Sequence, residues 1–154
     1  MIRLEKILVP TDLSEHARYA LPYAVELARM YGAELHLVHV VEPVWGASYA
    51  LYAEFPGPVA DNLDQVKADQ AKAVAELAAE IKDVAVQTRV LAGPPLVQIV
   101  RYARDHEIDL IVLATHGRTG LSHALIGSVA EKVVQMAPCP TLTVKHPEHE
   151  FVLP

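Results

Sequence analysis

Two loops carry the residue types best suited to chemistry. The first is Thr115-His116-Gly117-Arg118-Thr119-Gly120, which runs through Leu121 to Ile126 into Gly127-Ser128-Val129-Ala130. Glycines let backbone amides approach an anion, and a helix beginning at Gly127-Ser128 would present free N–H groups that favour phosphate. Arg118 adds a positive charge and Ser128 a hydroxyl donor. The second loop is Pro10-Thr11-Asp12. Asp12 would repel phosphate, but its carboxylate accepts hydrogen bonds from a ribose or a base. Glycines at loop-to-helix junctions are often plain turn residues, so spacing alone leaves phosphate loop and turn as equal readings.

Other reactive side chains lead nowhere as specific. Eight histidines invite a metal site. His36 and His39 are separated by an odd number of positions on an expected strand, so they point to opposite faces and do not chelate together. His146-Pro147-Glu148-His149 stands in a terminal stretch where nothing fixes ligand geometry. Cys139, between Pro138 and Pro140, reads as a small packed residue rather than a nucleophile. No lysine follows the glycines as in a P-loop, and Lys132 reads as helix surface. The carboxylates are scattered, and no pair suits acid/base work, so no catalytic residue is assigned.

The elements that must position these loops follow from hydrophobic period. Lys6-Ile7-Leu8-Val9-Pro10 is a short β-type run, and Glu34 to Val41 a second. Between them Ala17, Ala20, Leu21, Ala24, Leu27 and Ala28 form a helical stripe with Ser14 as N-cap and Gly32 as the residue that ends it. Pro22 falls inside that stripe, where it removes a backbone donor and costs roughly 3 kcal/mol, so a kink or an irregular first turn is expected. Residues 42–60 are rich in proline, glycine and aromatics (Trp45, Tyr49, Tyr52, Phe55), a stretch long and apolar enough to fold over something, either a ligand or a dimer interface. Asp61 opens an alanine-rich helix with Val66, Ala73, Leu77 and Ile81 on one face. Val84 to Leu91 alternates as a third strand, stopping at Gly93-Pro94-Pro95, and Pro95 suits the first turn of a helix carrying Leu96, Ile99, Val100 and Ala103 inward. Asp109 to Ala114 is nearly all apolar, as a strand buried on both faces requires. A helix over Ser128 to Ala137 and a last strand, Thr141 to Lys145, complete an α/β pattern. Strands alternating with helices give a doubly wound, mainly parallel five-stranded sheet in a single domain.

Length and charge bound the remainder. The 154 residues suit one domain, and no apolar run approaches the ~18 residues needed to span a bilayer. The start, Met1 to Lys6, mixes charges into its first apolar stretch and is unlike a secretory signal. A single cysteine excludes an internal disulfide and suits a reducing, cytoplasmic setting. The net charge of −6, with Lys and Arg nowhere clustered, argues against nucleic acid as a partner.

Ala114 through Gly120, with Gly127-Ser128, resembles the phosphate-loop signature of ATP-binding members of the universal stress protein family: Gly, two residues, Gly, nine residues, then Gly followed by Ser or Thr. Gly117 and Gly127 enclose the nine residues Arg118 to Ile126, and Ser128 follows. Ile7 to Asp12 is similar to the family's first strand and its nucleotide-contacting Asp, and His39-Val40 to the second-strand end where backbone meets adenine. Gly93-Pro94-Pro95 resembles the turn after strand three, and Ala137 to Pro140 the approach to the dimerising last strand. The likeness runs from about residue 4 to 145. One position departs: Ala114 stands at the first glycine, where a methyl would crowd the strand end or demand negative φ.

The resemblance implies a Rossmann-like sheet of order 3-2-1-4-5 over residues 1–146, followed by a tail at 147–154. It implies ATP as ligand, with Mg²⁺ on the phosphates. Amides of Thr115, His116, Gly117, Arg118, Thr119 and Gly120, and of Ser128, Val129 and Ala130, would hold the phosphates, beside Ala114 and Gly127. Pro10, Thr11, Asp12 and Val40 would line the nucleoside. It also implies a homodimer joined along Thr141 to Lys145, with Phe151-Val152-Leu153 packing across the partner. The function expected is a stress-response or signalling regulator with at most slow ATP hydrolysis. The alternatives are a nucleotide-free dimerisation adaptor, which Ala114 alone favours, and a weak ATPase or adenylate-handling enzyme.

Overall fold

The computed structural model describes residues 2–42, 59–115 and 127–145. Strands β1 (Lys6–Thr11), β2 (Glu34–Val41), β3 (Val86–Ala92), β4 (Leu110–Ala114) and β5 (Thr141–Val144) form one sheet in the order β3-β2-β1-β4-β5. Every pairing is parallel, with Thr11 opposite His39 and Ala114 opposite Val144. This is the doubly wound order expected from the sequence. Strand β3 begins at Val86 rather than Val84, because Asp83, at φ 61°, is still turning the chain.

Helices α1 (Glu15–Arg18), α2 (Leu21–Tyr31), α3 (Val59–Ala79), α4 (Pro95–Asp105) and α5 (Ser128–Met136) connect the strands. The stripe that starts at Ser14 is two helices, not one. Ser14 Oγ accepts from Ala17 N at 3.1 Å and caps α1, and the chain then restarts at Leu21 with Pro22 in the first turn, where no intrahelical donor is lost. Gly32 closes α2 at φ 68°, a left-handed position that a side chain would strain. Helix α3 begins at Val59 rather than Asp61. Its core residues are Val74 and Leu77; Val66 is 40% exposed, so the expected stripe is displaced by tertiary packing.

Side chains alternate along each strand and build two cores. Ile7, Val9, Leu35, Leu37 and Val112 face Ala24, Ala28, Val74 and Leu77. Leu8, Val38, Ile111 and Leu113 face Ile99, Ala103 and Val133 on the other side. Burial of this kind contributes roughly 1.5–3 kcal/mol per large aliphatic side chain. The amino ends of the strands are fastened by polar groups. Asp109 Oδ2 accepts from Glu5 N at 2.7 Å and Lys6 N at 2.9 Å, and Lys6 Nζ donates to His106 O at 3.0 Å. No helix among the described residues is long and apolar enough to cross a membrane.

Candidate functional site

At the opposite end of the sheet, the carboxyl ends of β1, β2 and β4 converge with the starts of α4 and α5. They bound a cleft of about 550 Å³, within the usual size of a small-molecule site. It lies where the strand order reverses, with β2 on one side of β1 and β4 on the other. One wall holds Pro10, Thr11 and Asp12 with Val40, while Ala114 and Thr115 form the far strand end. Gly127, Ser128, Val129 and Ala130 form the opposite wall. The residues named from the two sequence loops are therefore neighbours wherever they are described. His116, Gly117, Arg118, Thr119 and Gly120 lie outside the described residues, as do Trp45, Tyr49, Tyr52 and Phe55 and the tail from His146 onward.

The first turn of α5 is built for close approach. Gly127 N donates to Thr115 O at 2.6 Å, and a Cβ on Gly127 would stand 3.1 Å from that same carbonyl. Glycine is favoured here by the tight space, since its φ of −66° suits any residue. The first intrahelical bond runs from Glu131 N to Gly127 O at 2.9 Å. The amides of Ser128, Val129 and Ala130 precede it and have no helical acceptor, so they and the helix dipole favour an anion.

The β1 turn is held by its own side chains. Thr11 Oγ1 accepts from Leu13 N at 3.1 Å and Asp12 Oδ1 from Ser14 N at 2.9 Å, with Leu13 turned to φ 63°. His39 donates from Nδ1 to Thr11 O at 2.8 Å, so its ring continues the ladder where β1 runs out. Asp12 and Glu42 are the only formal charges among the described lining residues, and both belong to the β1–β2 side. The cleft is thus polarised, with carboxylates at one end and a helix N-terminus at the other.

Ala114 ends β4 in extended backbone and is absent from the residues at positive φ. The negative φ that a methyl demands is met, because strand backbone suits alanine. Gln70 and Val66 of α3, Pro95 and Ile99 of α4, Ala17, His39 and Glu42 also line the cleft and were not assigned from the sequence. Pro95 carried a usable signal, being the first helical residue after a strand end. Val66 and Gln70 carried none: periodicity assigns Val66 to the core stripe of α3, and Gln70 reads as an ordinary polar helix residue.

The remaining reactive groups are structural. His36 sits on the other face of β2, its Nδ1 2.9 Å from Tyr102 Oη and its Nε2 3.3 Å from Glu34 Oε2. Burial lowers its pKa against the opposing pull of Glu34. Burial, with the Asp109 charge nearby, pushes the Cys139 thiol up, away from thiolate chemistry. Among the described residues no group of three or more His, Cys, Asp or Glu is placed to hold a metal ion.

Residues 3–145 match the universal stress protein family. The chain belongs to that family. The universal stress protein MJ0531 of Methanocaldococcus jannaschii is 36% identical over 148 residues, covering 95% of this chain and 85% of the relative. The solved structure of MJ0577, from the same organism, superposes with a TM-score of 0.77 at 28% identity, covering 96% of this chain and 99% of that one. A universal stress protein solved in complex with cAMP shares the fold at a TM-score of 0.64 and 20% identity, covering 94% of this chain and 98% of that one.

Proposed function

We propose that this universal stress protein binds ATP, with Mg²⁺ on the phosphates, and acts as a nucleotide-dependent regulator in stress response or signalling. The observation that carries the reading is the polarised cleft. Its α5 end offers the amides of Ser128, Val129 and Ala130, closed up against β4 by Gly127, which suits phosphate. Its β1–β2 end offers apolar Pro10 and Val40 beside the Asp12 carboxylate, which suits a nucleoside rich in donors. The Thr115 amide expected to hold phosphate donates instead to Val144 O at 3.0 Å, so the phosphate loop would continue through His116, Gly117, Arg118, Thr119 and Gly120, with Arg118 contributing charge. Mg²⁺ would offset the negative charge of the phosphates. That a protein of the same fold was solved with cAMP is compatible with a nucleotide here, but the case rests on this chain's own residues.

The test is direct. Nucleotide-free protein, prepared by unfolding and refolding, is titrated with ATP in the presence and absence of Mg²⁺ while melting is followed. A ligand that binds only the folded state raises the melting temperature by mass action. No rise at millimolar ATP, with no nucleotide released from the purified protein on denaturation, overturns the reading.

We further take residues 1–146 as the working domain, 147–154 as its tail, and the cytoplasm as its compartment. A homodimer through β5 belongs to the same proposal. β5 is an edge strand with Leu142 36% exposed. Ile111 N donates to Pro140 O and Thr115 N to Val144 O, so even-numbered residues of β5 bond to β4. The N–H groups of Thr141 and Thr143 therefore face outward, where a second copy of the strand would satisfy them. Sedimentation at micromolar concentration is expected to give a dimer, and Thr143→Pro a monomer that still binds ATP.

A further inference from the structure

The two histidines of β2 differ in how many of their ring nitrogens are engaged. His36 has partners on both, Tyr102 and Glu34. His39 is only 3% exposed, yet its one hydrogen bond is from Nδ1 to Thr11 O at 2.8 Å. A carbonyl oxygen can only accept, so Nδ1 carries the hydrogen and Nε2 of the neutral ring is an acceptor. Among the described residues no buried side-chain nitrogen or oxygen lacks a partner. Nε2 has none and is therefore not sealed in the core; His39 lines the cleft, and the lone pair opens onto it.

We propose that His39 reads the bound nucleotide, its Nε2 accepting a hydrogen bond from an N–H or O–H donor of the nucleoside. The inference rests on the nucleotide reading of the cleft. Two considerations favour a nucleoside donor over the phosphates, and the way the ring is held strengthens the contact. His39 stands opposite Thr11 in the sheet register, at the carboxylate end rather than the α5 end. Phosphate oxygens are mostly deprotonated at neutral pH and act chiefly as acceptors. The ring is also held from behind: the Thr11 carbonyl fixes the tautomer and the ring plane, so the lone pair is pre-aimed and little freedom is lost on binding. An adenine nucleotide offers three such donors, the two ribose hydroxyls and the exocyclic amine.

Two substitutions separate reading from support. In His39→Asn the side-chain amide nitrogen overlies Nδ1, which keeps the Thr11 contact and removes the Nε2 acceptor. In His39→Gln the amide oxygen reaches the Nε2 position and the Thr11 contact is lost. Binding is measured for ATP, 2′-deoxy-ATP, 3′-deoxy-ATP and purine riboside triphosphate, which lacks the amine. His39→Asn is expected to melt within a few degrees of wild type and to bind ATP about tenfold more weakly, the worth of one buried hydrogen bond. One of the three analogues is expected to bind wild type about tenfold more weakly than ATP and to lose nothing further on His39→Asn. That analogue identifies the donor. His39→Gln is expected to keep discrimination against the same analogue.

If His39→Asn binds ATP as wild type does, or loses affinity equally for every analogue, the inference fails while the nucleotide reading stands. Should wild type bind no adenine nucleotide, the reading itself fails, and the inference with it. Nitrogen-15 spectra of histidine-labelled wild type provide a check that requires no variant. Addition of ATP should move the His39 Nε2 resonance and leave His36 in place; an unmoved His39 signal under saturating ATP overturns the proposal.

Discussion

The two ends of the sheet use their polar groups in opposite ways. At the amino end, the Asp109 carboxylate takes two backbone amides, Lys6 reaches the His106 carbonyl, and His36 is held between Tyr102 and Glu34. Gln87 completes the set by donating to Glu34 at 2.8 Å. At the carboxyl end, the first amides of α5 have no helical acceptor and His39 keeps a free ring nitrogen. Both ends are made from the same strands and similar residue types. The difference is that one end is closed on itself, while the other leaves hydrogen-bonding capacity open to the cleft.

That contrast can be broken at either end. Gly127→Val should have the largest effect: the new Cβ meets the Thr115 carbonyl and must push the start of α5 away from β4. ATP affinity is expected to fall at least about tenfold, or ~1.4 kcal/mol, with a smaller loss of melting temperature. Calorimetric titration and thermal melts on the same sample check both. A variant that binds normally would show that the α5 end is not the phosphate end.

Asp109→Ala should do the reverse. It leaves the Glu5 and Lys6 amides without their acceptor and is expected to cost about 1–3 kcal/mol of stability, read from urea unfolding, while ATP affinity is unchanged. A matching loss of affinity would mean that the two ends are coupled through β1.

A gentler probe of the amino end is pH. Burial holds the folded pKa of His36 below the ordinary 6.5, so below that value the unfolded chain takes up a proton that the folded chain does not. Stability is then full above pH 6.5 and falls as the pH drops from there toward the folded value. Urea midpoints compared between about pH 7.5 and 5 should decline, and His36→Gln should flatten the slope. An unchanged slope would assign the acid sensitivity to other groups.

The smallest effect is expected from Ala114→Gly. Because Ala114 is extended and paired in β4, the added freedom gains nothing, and ATP affinity should stay within about twofold of wild type. A large gain would mean that the methyl does obstruct the cleft, and would revive the nucleotide-free adaptor.

The sequence alone determined the strands, their alternation with helices and the two loops at the strand ends. Those signals are local: apolar runs, an N-cap at Ser14, a terminating Gly32 and a proline at the start of α4. It determined less about α3, where periodicity pointed Val66 inward although the fold buries Val74 and leaves Val66 beside the cleft. It also could not set the break before Pro22, since a stripe of alanines reads the same whether one helix carries it or two. Only the tertiary structure showed that Gly127 lies tight against the Thr115 carbonyl, a contact that closes the two ends of the loop on each other. Only the structure, too, separated His39 from His36. Strand period places them on opposite faces, but which nitrogen is left open depends on what each face meets. One face meets Tyr102 and Glu34, which close the ring in; the other meets the end of β1, whose last carbonyl takes one nitrogen and leaves the other to the cleft.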